Sequence, residues 1–196
     1  AMLVAKASPV LCHAVKKATK NLGADFTAGQ HASSSVRRSS RLRKLRGRVT
    51  RMRVLRAGGA PTARLVKTGL TPAAAYAVSV TGISDSNLLW LRRQARSACC
   101  LHTVGRSVDL DLLLAGDRVD PAFRCNKDPI VLWLKGLWDT RLPRIWMARA
   151  FHQAIYDLKG SRAPWAKVKG PAGAVVATLM RIGWTPLSAA RWQTHV

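Results

Sequence analysis

The sequence predicts an all-α protein, an irregular multi-helix bundle. Three observations carry that expectation. Apolar residues recur every three to four positions in each long segment. No segment sustains the period-two alternation of a half-buried strand. Pro121, Pro129, Pro143, Pro164 and Pro171 separate the later periodic segments, and Gly69 and Gly82 close two earlier ones. The chain has 196 residues, 48% of them apolar. That suits one domain or two small ones with a real core, and it excludes wholesale disorder.

Residues 1–20 are mildly apolar and basic, broken by Pro9; Lys6, Lys16, Lys17 and Lys20 occur there without an acid, a composition that transit peptides share. "KNLGADFTAGQHASSS" reads as a short strand near residues 20–27 followed by a loop. Next comes "VRRSSRLRKLRGRVTRMRVLRAGGA". Ten of the residues from Val36 to Arg56 are Arg or Lys, and none is acidic. Leu42, Leu45, Val49, Met52 and Leu55 are spaced 3, 4, 3 and 3, which is one helical face. Ser39 or Ser40 can cap the helix and Gly58-Gly59 can end it. Gly47 weakens it by about 1 kcal/mol.

"PTARLVKTG" reads as a short helix ending at Gly69. Thr71-Pro72 reads as an N-cap followed by Pro at the first helical position, opening "PAAAYAVSV", which Gly82 closes. Ser84 caps "SDSNLLWLRRQARSACCLH", with Leu88, Leu91, Ala95 and Ala98 on one face and Arg92, Arg93 and Arg96 off it. Helices are expected over 107–115, 129–140, 142–159 and 171–182. Strand signals are confined to the region before residue 30.

The net charge is +24, and all nine carboxylates are Asp. So few acids cannot neutralise the bases internally, so a polyanion is the expected partner. Nucleic acid comes first and an anionic membrane surface second. Cys12, Cys99, Cys100 and Cys125 form no disulfide framework, so the chain reads as reduced, intracellular and not secreted. No apolar run approaches 18 residues, so no transmembrane helix is expected.

Catalytic signatures are weak. Asp109-Leu-Asp111 resembles the Asp-x-Asp of metal-dependent transferases, but beside a leucine run the two carboxylates suit the first turn of a helix. Cys99, Cys100, His102 and Cys125 are zinc-compatible, yet their spacing matches no finger, ribbon or knuckle. No Gly-x-Ser-x-Gly, Walker loop or His-Glu-x-x-His occurs. No metal or cofactor is expected. Seven tryptophans could stack on bases; Trp133, Trp138 and Trp146 are expected in the core.

Taken in order, these segments resemble the reverse transcriptases of non-LTR retrotransposons over roughly residues 20–192. "KNLGADFTAG" is similar to the Leu-Gly-Val-x-Phe strand that closes the palm of that family. The basic helix with its Arg/Lys-Leu pattern follows at Arg41 to Arg56. Gly69, Pro72, Tyr76, Val80 and Gly82 match a Gly-x-x-Pro-x-x-x-Tyr-Gly-x-x-Val-x-Gly segment, with Ala77 departing from its second Gly. "LLWLRRQA", "PIVLWLKGLWD" and "GPAGAVVATLMRIGWT" are similar to the helices beyond. The resemblance implies a thumb and connection without the palm: a palm-end remnant and loop at 1–35, a thumb-like basic region at 36–104, and a Trp-rich connection at 105–196.

The family's Tyr-x-Asp-Asp turn is missing, so no polymerase activity is expected. The implied role is to cradle an RNA or RNA/DNA duplex without regard to sequence. Arg37, Arg38, Arg41, Arg43, Lys44, Arg46, Arg48, Arg51 and Arg53 are the candidate phosphate contacts, with Arg92, Arg93 and Arg96 as a second patch. The alternatives are a basic amphipathic helix on anionic lipid, or a retroelement remnant without selected activity.

Overall fold

The computed structural model describes residues 18–21, 24–27, 35–100, 105–116, 118–139 and 142–194, with side chains from residue 42 onwards. The protein is mostly helical. Helix α1 spans Ser35–Ala57, α2 Ala63–Leu65, and a π-helical turn Val66–Leu70 leads directly into α3, Thr71–Ala75. Then follow α4 (Val78–Thr81), α5 (Asp85–Cys99), α6 (Val108–Leu114), α7 (Pro121–Trp138), α8 (Arg144–Leu158), α9 (Pro164–Lys167) and α10 (Gly170–Arg181). Strands β1 (Ala18–Asn21) and β2 (Ala24–Thr27) form an antiparallel hairpin, where one strand was expected.

A second antiparallel hairpin, β3 (Trp184–Ser188) with β4 (Arg191–Thr194), closes the described chain. This corrects the expectation that strands stop before residue 30. The Trp184 and Trp192 rings lie 6.3 Å apart across this pair. Trp133 Nε1 on α7 donates to the Ala189 carbonyl in its turn at 2.8 Å. Tertiary contact with α7, not a period-two pattern, holds these strands.

Among the described residues two apolar clusters form the core. The first gathers Leu42, Leu45, Val49 and Met52 of α1 with Leu70, Leu91, Leu112 and Cys125. The second gathers Trp133, Met147, Phe151, Val175, Val176 and Leu179, with the Trp133 and Phe151 rings 5.4 Å apart. Helix α7 serves both. It contributes Cys125 to the first and Trp133 to the second.

Several boundaries differ from expectation for identifiable reasons. Helix α1 starts at Ser35, so Ser39 and Ser40 lie inside it rather than capping it. Its end is a Schellman motif: Ala60 N–H reaches the Leu55 carbonyl, Gly59 N–H reaches that of Arg56, and Gly59 has φ +84°. Thr71 is not a cap, because the π-turn carries helical backbone through Gly69. The break comes instead at Tyr76, which turns extended, and Ala77, which is left-handed at φ +65°. Pro129 lies inside α7 and is fully buried there; Asp120 and Pro121 start that helix eight residues earlier than expected.

Trp133 is buried as expected. Trp138 and Trp146 are not core residues: they are 89% and 66% exposed. Helix α7 ends at Trp138, and Trp146 flanks a groove of about 500 Å³ lined by Leu132, Gly136, Leu142 and Met147. Leu55 is 49% exposed, because the α1 seam leaves the core after Met52.

Candidate nucleic-acid interface

The basic helix α1 lies at the edge of the first cluster, packed chiefly on α5. Leu42, Leu45, Val49 and Met52 are buried, each worth about 1.5–3 kcal/mol of burial. Polar ties fix its C-terminal end. Arg56 Nη1 donates to the Ser97 carbonyl at 3.0 Å, and Thr62 Oγ1 donates to that of Ala98 at 2.7 Å. Arg56 is thus an anchor rather than a free cation.

Arg43, Lys44, Arg46, Arg48, Arg51 and Arg53 are all exposed. Among the described residues none of them is paired with a carboxylate. The helix itself carries no acid. Arg37, Arg38 and Arg41 belong to the α1 backbone, and their side chains lie outside the described residues.

The second expected patch is corrected. Arg92 Nε lies 3.0 Å from both Asp120 oxygens, and its Nη2 reaches Asp109 at 2.5 Å. Hydrogen bonding to Asp120 raises the Arg92 pKa, and Arg92 in turn holds the Asp109 carboxyl below its ordinary range. Arg96 Nε donates to Asp111 at 2.5 Å, and Asp111 is buried. These arginines join α5 to α6 and to the start of α7. Only Arg93 of the three is exposed. Residue charge and helical face do not reveal this, because the Asp partners lie 15 to 28 positions downstream.

The same ion pairs account for Asp109 and Asp111. Both fall in the first turn of α6 behind Ser107, whose Oγ accepts from Asp109 N. With Arg96 and Arg92 on them, they cannot share a divalent cation without giving up those bonds.

Burial pushes the Cys99 and Cys125 thiols up to about 12, which disfavours the thiolate that zinc requires. Cys99 and Cys100 sulfurs lie 3.5 Å apart, while Cys12 and His102 lie outside the described residues. No group of three or more potential metal ligands occurs among the described residues.

A cluster that sequence reading missed joins the two halves of the core. Arg181 donates to Asp85 Oδ1 at 2.7 Å, to Asn126 at 3.2 Å and to the Ile83 carbonyl, and stacks 3.9 Å from the Trp165 ring. Trp165 Nε1 also donates to Asp85. A Cβ on Gly82, at φ +63°, would lie 2.7 Å from that ring. Among the described residues no helix is long and apolar enough to cross a membrane. No protein-family model, curated protein or solved structure matches the chain.

Proposed function

We propose that this chain is a non-catalytic nucleic-acid-binding segment, derived from a retroelement reverse transcriptase, that presents α1 to phosphate backbones. One observation carries the reading: Leu42, Leu45, Val49 and Met52 of α1 are buried in the core, while six cations face solvent with no carboxylate partner among the described residues. A lipid-surface helix works the other way, burying its apolar face in the bilayer. Here that face is not available to lipid. Phosphates, by contrast, need only the outward cations, and their neutralisation releases counterions.

The motif resemblance gains support from backbone geometry. Ala77 occupies a left-handed conformation at the position where the motif carries Gly, and Gly82 matches a site that tolerates no Cβ. Neither demand follows from composition. The absence of an Asp-Asp pair, and the commitment of Asp109 and Asp111 to arginines, support a binding role without nucleotidyl transfer.

Fluorescence anisotropy with two unrelated duplexes and with anionic vesicles tests this. The variant carrying Arg43→Gln, Arg46→Gln, Arg48→Gln and Arg51→Gln should lose affinity for both duplexes to the same degree. A variant that loses vesicle binding but keeps the duplexes would establish the membrane alternative instead.

A further inference from the structure

The cations on α1 are arranged, not merely abundant. At about 100° per residue, Leu42, Leu45, Val49 and Met52 define a buried stripe, and Gly47 and Val54 fall within about 20° of the line opposite its centre. Both are exposed, Val54 at 69%, and a Cβ on Gly47 would meet nothing within 4 Å. The outermost ridge of the helix is therefore uncharged and low. Arg43, Arg46 and Arg53 lie along one side of it, about 40–120° away; Lys44, Arg48 and Arg51 lie along the other, about 40–100° away. Among the described residues, three cations flank each side.

Resting on the nucleic-acid reading above, we propose that α1 enters the major groove of B-form DNA, ridge inward, with each cation row reaching the phosphates of one strand. A helix with its side chains is about 10–12 Å across, and the B-form major groove is about 12 Å wide. Residues 43–53 extend over roughly 15 Å, along which a duplex presents roughly nine phosphates to six cations. A helix lying across one strand would need its cations at the summit, where Gly47 and Val54 stand. The A-form major groove is too deep and narrow for side chains to read. The arrangement thus selects B-form DNA over the RNA or RNA/DNA duplex that the resemblance implies. With no hydrogen-bonding side chain on the described ridge, the contact carries little base specificity.

The test uses the full chain with a DNA duplex, the RNA duplex of the same sequence, and dimethyl sulfate footprinting. Dimethyl sulfate methylates guanine N7 in the major groove and adenine N3 in the minor groove. Binding should protect N7 and leave N3 reactive, and DNA should bind more tightly than RNA. Gly47→Trp should weaken DNA binding by about tenfold, because lifting the helix off the groove floor withdraws one or two phosphate contacts, whereas Gly47→Ala should not weaken it. Val54→Trp provides a second bulky ridge variant. Duplex binding with unprotected N7, equal affinity for RNA, and no effect of either Trp variant would overturn the groove arrangement while leaving phosphate binding standing. No binding to any duplex would overturn both.

Discussion

Asp111 and Arg96 offer the sharpest test of the fold's charge economy. Asp111 is 4% exposed and accepts from Arg96 Nε at 2.5 Å. Replacing Asp111 by Ala removes this ion pair from an Arg96 side chain that is only 19% exposed. Breaking a buried pair costs 3–5 kcal/mol, and the residual exposure of Arg96 lets water compensate in part, so the expected cost is about 3 kcal/mol. For a chain of this length that lowers the melting temperature by roughly 6–12 °C. The assay is urea unfolding followed by far-ultraviolet circular dichroism, as a cycle of Asp111→Ala, Arg96→Met and the double variant. The double variant should lose roughly 1–2 kcal/mol less than the sum of the singles. Arg96→Met should leave the salt dependence of duplex binding unchanged. A stability change below about 0.5 kcal/mol for Asp111→Ala, or a lower salt slope for stable Arg96→Met, would refute the structural role and return Arg96 to the nucleic-acid face.

Other outcomes follow from particular side chains. Ala77→Gly removes a left-handed Cβ and should stabilise by about 1 kcal/mol, whereas Gly82→Ala should destabilise, since its Cβ would strike Trp165; thermal melts of both check the pair. Phe151→Ala should cost about 3–5 kcal/mol in urea unfolding without altering duplex affinity under folding conditions. The Cys125 thiol, pushed up to about 12 by burial, keeps its proton in the folded state at pH values where the unfolded thiol, near 8.5, loses it. Its contribution is therefore full below about pH 8.5 and is lost as pH rises toward 12. Urea midpoints should fall more steeply over that window in the parent than in Cys125→Ala, and equal slopes would contradict the account.

Legibility in the sequence followed the physics of each element. Helix α5 was readable because local signals agree: Ser84 Oγ accepts from Asn87 N, and Leu88, Leu91, Ala95 and Ala98 share the buried face. The α1 seam was readable up to Met52 and overextended at Leu55, since periodicity shows a face but not how far a neighbour covers it. Pro129 misled because proline ordinarily ends or kinks a helix, whereas here it lies fully buried inside the continuous helix Pro121–Trp138. The C-terminal hairpin was hidden because Trp133 and Ala189, which tie it down, are 56 residues apart. Trp138 and Trp146 were misplaced for a related reason, since bulk favours burial only where a second surface meets it. Of the candidate site, the α1 cations could be read from charge and period alone. The ion pairs that withdraw Arg92 and Arg96 are tertiary and could not.

The proposed contact between α1 and phosphates runs through Arg43, Lys44, Arg46, Arg48, Arg51 and Arg53. Its most direct test is the dependence of duplex affinity on salt. Six phosphate contacts predict a slope of log affinity against log salt of about −5. Replacing all six by Gln should remove about five units of slope, while circular dichroism and the urea midpoint report an intact fold. A folded six-Gln variant whose slope stays within about one unit of the parent's would show that α1 is not the nucleic-acid face.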